Sequence, residues 1–178
     1  TPVNNGLENP LDPSTYQSST PDTAVLFLDS NAHGHLFAGI SFAGIEYHIF
    51  RSVDNGESWT SISRDFPKDE EGDSPRLVAF AIDARGHLFA GTSLGYFRSA
   101  DHGDSWTRTS SSYSADFLVA HEHGQLFAGT EFDGILHSAD GGASWTPINK
   151  GLPRDEDGEV PGVFSLEIDS SGQLFAGT

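Results

Sequence analysis

The chain has 178 residues, with 20 Gly, 13 Phe and 3 Trp but neither Cys nor Met. That length suffices for one domain with a substantial core, and the missing thiols exclude disulfides, thiolate metal sites and cysteine nucleophiles while leaving the redox compartment open. Lys and Arg total 9 against 26 Asp and Glu, a formal charge of -17, which argues against a nucleic-acid backbone or an anionic membrane surface as ligand and favours cations, basic patches or neutral ligands. The longest apolar run, Leu77 to Ile82, is far too short to cross a bilayer. Residue 1 is Thr, so either a leader has been removed or the sequence is a window on a longer chain, and the repeats favour the window.

In chain order, first strands are predicted at 24–29, 77–83, 117–121 and 163–169, short Val/Ile/Leu/Phe-rich runs closed by polar turn residues. A second strand follows each after a Gly turn, marked by Leu-Phe-Ala-Gly at Leu36, Leu88, Leu126 and Leu174. Third strands are expected at 45–53, 96–100 and 135–139, and fourth strands at 59–63, 106–110 and 145–149. Joining third to fourth is a recurring Ser-x-Asp-x-Gly-x-Ser-Trp. Its copies are Ser52/Asp54/Gly56/Trp59, Ser99/Asp101/Gly103/Trp106 and Ser138/Asp140/Gly142/Trp145. No segment keeps a helical period. Four strands in roughly 40–50 residues is the size of a propeller blade.

Residues 1–7 align with 146–152, so the chain is expected to open inside a fourth strand. The division is then 1–23, the tail of a preceding fourth strand with an inter-blade loop; 24–65, a first blade; 66–110, an acidic loop and second blade; 111–151, a third blade; and 152–178, an acidic loop and the first two strands of a fourth. The expected fold is an all-β propeller arc of four-stranded antiparallel blades, three full with partial blades at both ends. Such an arc leaves sheet edges to be completed, by the rest of a longer propeller or by another copy of the chain.

The Ser-x-Asp-x-Gly-x-x-Trp motif, in register with a second repeated motif over 24–178, resembles the Asp-box, or BNR repeat, of sialidases, sortilin-type receptors, xyloglucan-cleaving glycosidases and bacterial photosystem II assembly-factor-like propellers. The resemblance implies β-propeller blades whose Asp-box turns lie away from the usual ligand face. Physically the motif reads as a staple. Asp54, Asp101 and Asp140 accept backbone N–H groups across a tight turn, with Ser52, Ser99 and Ser138 closing it. Gly56, Gly103 and Gly142 supply a positive φ, and Trp59, Trp106 and Trp145 are expected to pack between the outer strands.

Function is sought in the loops that vary on this scaffold. Phe42, Glu46 and Tyr47 border the first of them, Glu131, Phe132 and Asp133 form the third, and Tyr113 lies between the second and third blades; together they are the candidate ligand contacts. Two related acidic loops, 66–75 and 152–161, offer Asp69, Glu70, Asp73, Asp155, Asp157 and Glu159 as oxygen ligands for calcium, although their spacing fits no calcium-loop pattern and a solvated charge run explains them as well. The pairs His33/His35 and His121/His123 occupy a position held by Arg85/His87 and Ser171/Gln173 elsewhere, which marks it as a turn. Arg51 and Arg98, with His137 in the third copy, belong to the repeat itself and read as structural. No phosphate loop, nucleophile elbow or zinc motif occurs, and no pairing of carboxylates is evident. The expectation is a non-catalytic secreted or cell-surface bacterial module that recognises a carbohydrate or protein surface. The alternatives are a fragment of a sialidase-like or xyloglucanase-like glycoside hydrolase, and a structural protein that assembles by strand exchange.

Overall fold

The computed structural model describes residues 23–42, 46–64, 66, 68, 72, 75–110, 116–121, 124–169 and 171–178. Residues 1–22, expected to carry the tail of a preceding blade, lie outside the described residues.

Among the described residues the chain forms strands and no α-helix, and no helix is long and apolar enough to cross a membrane. The first sheet comprises β1 (Thr23–Ser30), β2 (Leu36–Phe42), β3 (Glu46–Ser52) and β4 (Thr60–Ser61). The second comprises β5 (Leu77–Ile82), β6 (Leu88–Thr92), β7 (Gly95–Ser99) and β8 (Thr107–Ser110). The third holds β9 (Phe117–Ala120), β10 (Leu126–Gly129), β11 (Ile135–Ser138) and β12 (Thr146–Pro147), and the fourth only β13 (Ser165–Ile168) and β14 (Leu174–Gly177). Every sheet is an antiparallel meander in chain order. The four leading strands, β1, β5, β9 and β13, pack each against the next around a common axis. This is an arc of β-propeller blades.

The sequence pattern explains the placement. β5 alternates buried and half-buried residues, as a strand beside a channel should. The second strands of the first three sheets are buried almost throughout, for instance all of β6, because they have a strand on each side, whereas β14, at the edge of its two-stranded sheet, is half-buried to exposed. Leu-Phe-Ala-Gly suits that position, since its small residues let neighbours close in. A Cβ on Gly39 would lie 2.1 Å from the Phe27 ring.

The core lies mainly between blades. Phe37, Ile49 and Ile62 of the first blade, with Phe66 just beyond it, form one cluster with Leu88, Ala90 and Phe97 of the second. Ala79, Phe89 and Tyr96 of the second join Leu118, Leu126 and Leu136 of the third. Trp106 and Trp145 belong to these seams, which corrects for both the expectation that they pack between the outer strands, while Trp59 packs on Ala38, Ile40, Phe42 and Phe50 of the first blade. Trp106 stands edge-on to Phe66, in the connection from the preceding blade, at 4.8 Å and donates its indole N–H to the carbonyl of that blade's Ile62 at 2.7 Å. Trp145 stacks on Tyr96 of the preceding blade at 4.5 Å.

The fourth strands of the first and third blades are shorter than predicted, two residues each, because side chains take over the pairing. The Ile49 N–H donates to Ser63 Oγ at 2.8 Å, and the Ile135 N–H to Asn149 Oδ1 at the same distance. A polar residue four places after the Trp thus satisfies the outer edge of the third strand.

Gly103 and Gly34 separate packing from backbone strain. Both have positive φ (97° and 79°), but a Cβ on Gly103 would meet Ile62 Cδ1 at 2.3 Å, whereas one on Gly34 meets nothing within 4 Å. Gly34→Ala is expected to cost about 1 kcal/mol from backbone conformation and Gly103→Ala about 1–3 kcal/mol more from overpacking. Denaturant unfolding of the two variants checks the order.

Candidate ligand-binding face

The antiparallel strands divide each blade's connections between two ends. One end carries the first-to-second-strand turns and the Ser-x-Asp-x-Gly turns; the other carries the second-to-third-strand loops and the inter-blade connections.

The first end is saturated with hydrogen bonds. Ser52 Oγ donates to Asp54 Oδ1 at 2.7 Å and accepts the Gly56 N–H at 2.8 Å, while Asp54 Oδ1 also accepts the Ser58 N–H at 2.9 Å. The second and third copies repeat these bonds through Ser99, Asp101, Gly103 and Ser105 and through Ser138, Asp140, Gly142 and Ser144. Two successive residues take positive φ in each, Asn55–Gly56, His102–Gly103 and Gly141–Gly142. The hydroxyl of the Ser four residues on, its backbone N–H and the motif's first Ser hold Asp54 and Asp101 at about 2. Asp140 is likewise held at about 2, chiefly by Ser144.

The first-to-second-strand turns use the same chemistry, which the sequence reading overlooked. Asn31 Oδ1 accepts the N–H groups of His33 and His35, Asp83 Oδ1 those of Arg85 and His87, and Asp169 Oδ1 those of Ser171 and Gln173. The available signal was an Asn or Asp three residues before each turn Gly, broken only by His121 in the third blade. Arg51 and Arg98 reach toward the next blade. Arg51 Nη1 donates to the His102 carbonyl and to Asp104 Oδ1, each at 2.9 Å; Arg98 lies under Gly141, whose Cβ would sit 3.6 Å from its Cδ. His137 instead stacks on Phe127 at 4.8 Å.

The second end is open. The ladder between first and second strands shifts register at Leu26 and at Val78, a bulge that re-aims one side chain per blade. Asp116 and Phe164 hold the corresponding place in the third and fourth blades, their N–H groups donating to the Gly129 and Gly177 carbonyls at 2.9 and 2.8 Å. All four residues stand five places before the turn residues Asn31, Asp83, His121 and Asp169. Leu26, Val78 and Asp116 line a channel of about 220 Å³ between the leading strands. Asp116 and Phe164 join Phe117, Val163, Glu131 and Phe132 around a groove of about 430 Å³ between the third and fourth blades. Phe132 is 76% exposed and Phe164 72%, whereas Val163 beneath them is 2% exposed.

Of the sequence-predicted contacts, Glu131 and Phe132 therefore meet at one groove, joined by Asp116 and Phe164, which sequence reasoning missed. Asp133 serves its own loop, its N–H donating to Thr130 Oγ1 at 2.9 Å and its carbonyl accepting Asn149 Nδ2 at 2.7 Å. Phe42 is corrected: at 6% exposure its ring packs with Ala38, Ile40 and Phe50 and offers no platform. Tyr47 is half-buried against the seam of the first two blades, and Glu46 opens β3 opposite Phe42. Tyr113 lies outside the described residues, as do Asp69, Glu70 and Asp73. Asp155 Oδ1 accepts the N–H groups of Asp157 (3.0 Å) and Glu159 (2.8 Å), so that carboxylate is part of a turn. Among the described residues no three His, Asp or Glu side chains are placed to share a metal ion.

No family model matches the sequence, and no curated protein matches it. Solved structures do. The chain is similar to YCF48 bound to D1 peptide, at 17% identity and a TM-score of 0.62 over 88% of this chain and 47% of that one. It is similar to the GH74 enzyme of Niastella koreensis, at 20% identity and a TM-score of 0.59 over 82% of this chain and 24% of the enzyme. PorZ, an essential surface component of the type-IX secretion system of Porphyromonas gingivalis, matches at 13% identity and a TM-score of 0.63 over 87% of this chain and 25% of that one. The chain spans less than half of each of these proteins. The likeness shows the β-propeller fold.

The depressed carboxyl values carry a testable sign. A carboxylate whose folded value lies below its unfolded value contributes stability above the unfolded value, near 4, and loses it as pH falls toward the folded one. Carboxyl NMR titration should place the Asp54, Asp101 and Asp140 midpoints at about 2, and Ser58→Ala should raise Asp54 alone.

Proposed function

We propose that the chain is a non-catalytic β-propeller binding module that takes a polypeptide segment in the groove between its third and fourth blades. The carrying observation is the pair of exposed rings, Phe132 and Phe164, over a buried Val163 floor with Glu131 and Asp116 beside them. Exposed aromatics converging on a concave surface mark an interaction site. Carboxylates at its rim, on a chain of net charge -17, select an apolar side chain flanked by Lys or Arg. The repeated turns at the opposite end resemble Asp-boxes and serve as staples. A bacterial cell-surface or secreted setting is supported by propellers of the same fold in PorZ and in the extracellular domain of BT4673 from B. thetaiotaomicron.

The fold likeness to GH74 enzymes supports a second reading, a glycoside hydrolase fragment. In that reading Glu131 and Asp116, which line the same groove, are the carboxylate pair, and their carboxyl groups need to stand roughly 5–10 Å apart.

Selection of a displayed peptide library on the protein should enrich sequences that place an aromatic or aliphatic residue next to Lys or Arg. Phe132→Ala and Phe164→Ala should each weaken the enriched peptides about tenfold, on the order of 1.4 kcal/mol, without lowering Tm. Binding that tracks a glycan array instead would move the ligand to a sugar. Release of reducing ends from xyloglucan, abolished by Glu131→Gln, would establish the hydrolase.

A further inference from the structure

Three imidazoles meet where the first blade joins the second. His33 and His35 come from the β1–β2 turn and His102 from the second blade's Ser-x-Asp-x-Gly turn. The ring centroids are 5.3 Å apart for His33 and His102, 5.5 Å for His35 and His102 and 6.1 Å for His33 and His35. His102 is also pressed against the second blade's own β5–β6 turn, where a Cβ on Gly86 would lie 2.9 Å from His102 Cε1 and 3.6 Å from Asn31 Nδ2. The Nδ1 atoms of His35 and His102 and the Nδ2 of Asn31 are buried without hydrogen-bond partners. The rings therefore hold the seam by packing.

The charged groups on the elements that meet here are few. Arg51 on β3 grips the His102 carbonyl and Asp104. Asp101 is occupied by Ser99 and Ser105. On the β5–β6 turn, Asp83 and His87 pair with each other at 2.9 Å, and Arg85 stands next to Gly86. Asp29 is the penultimate residue of β1, and its Oδ1 accepts the Ser30 N–H. Among the described residues no hydrogen bond joins a carboxylate to any of the three imidazoles, and the Arg51 charge acting on His35 has their sign when they are protonated.

We propose that this cluster makes the seam between the first and second blades a proton-sensitive hinge, closed when the three rings are neutral and loosened when mild acid charges them. Placing two or three imidazolium ions within about 6 Å of one another and beside a guanidinium is opposed by like-charge repulsion. Partial burial, with His102, Arg51 and His33 close by, already holds His35 below its ordinary value. A base so depressed contributes stability above its unfolded value, near 6.5, and loses it as pH falls below that value. The three motif carboxylates, held at about 2, stay ionised through this window and leave it to histidine.

The third blade contains its own control. Gly141 stands there where the second blade has His102, and the first has Asn55 with nearly the same φ, 58° against 60°. His102→Asn therefore keeps the backbone while removing a ring. Amide hydrogen exchange followed by NMR, corrected for intrinsic rates, should show the opening constants of Asn31, Gly34 and Gly103 rising about tenfold between pH 7.5 and 5.5. Gly142 should change little. His102→Asn should flatten the rise, and His33→Asn, at an exposed turn position, should do so in part. Equal opening constants at both pH values, an equal rise at Gly142, or an undiminished rise in both variants would overturn the proposal.

Discussion

A four-stranded sheet this short has two apolar faces and can bury neither against itself. That constraint governs the molecule. Each blade must find its core on its neighbour, so the fully buried Phe37, Ile49, Leu88, Phe97 and Leu126 lie in clusters shared by two blades. Trp106 and Trp145 are set at seams for the same reason. Only an element that projects beyond its own sheet can cover a neighbour's flank, and the third-to-fourth-strand turn does so.

The strands and turns were legible because their signals are local. Gly after a polar run, Leu-Phe-Ala-Gly, and Ser-x-Asp-x-Gly-x-Ser-Trp each specify a few dihedrals and a few side-chain-to-backbone bonds within five residues. The seams were illegible because no local pattern records which face of one blade meets which residue of the next. Trp106 and Ile62 are 44 residues apart, and nothing near either names the other. Phe42 was misread for a different reason: a loop-flanking aromatic looks exposed until its packing on Ala38, Ile40 and Phe50 of the same blade is known.

The open face was half legible. Glu131 and Phe132 were visible as loop variation, but Asp116 and Phe164 were hidden inside what read as ordinary strand starts. Their role follows from the bulge, an irregularity of register that composition does not announce. Counting back five places from each turn residue recovers Leu26, Val78, Asp116 and Phe164 as one structural position with four unlike side chains. A scaffold whose hydrogen bonds are repeated so closely leaves such positions free to differ.

The Arg51 latch has a consequence for how such an arc tolerates change. One of its two bonds goes to a main-chain oxygen, which every amino acid supplies, so it carries no demand on the side chain at residue 102. The three copies of that turn accordingly hold Asn, His and Gly, under one common limit, the left-handed backbone that all three accept. A fastener indifferent to the identity of what it fastens permits a repeat to be duplicated, exchanged or mutated without refitting the latch, and leaves the side chain at that position free to take on chemistry of its own.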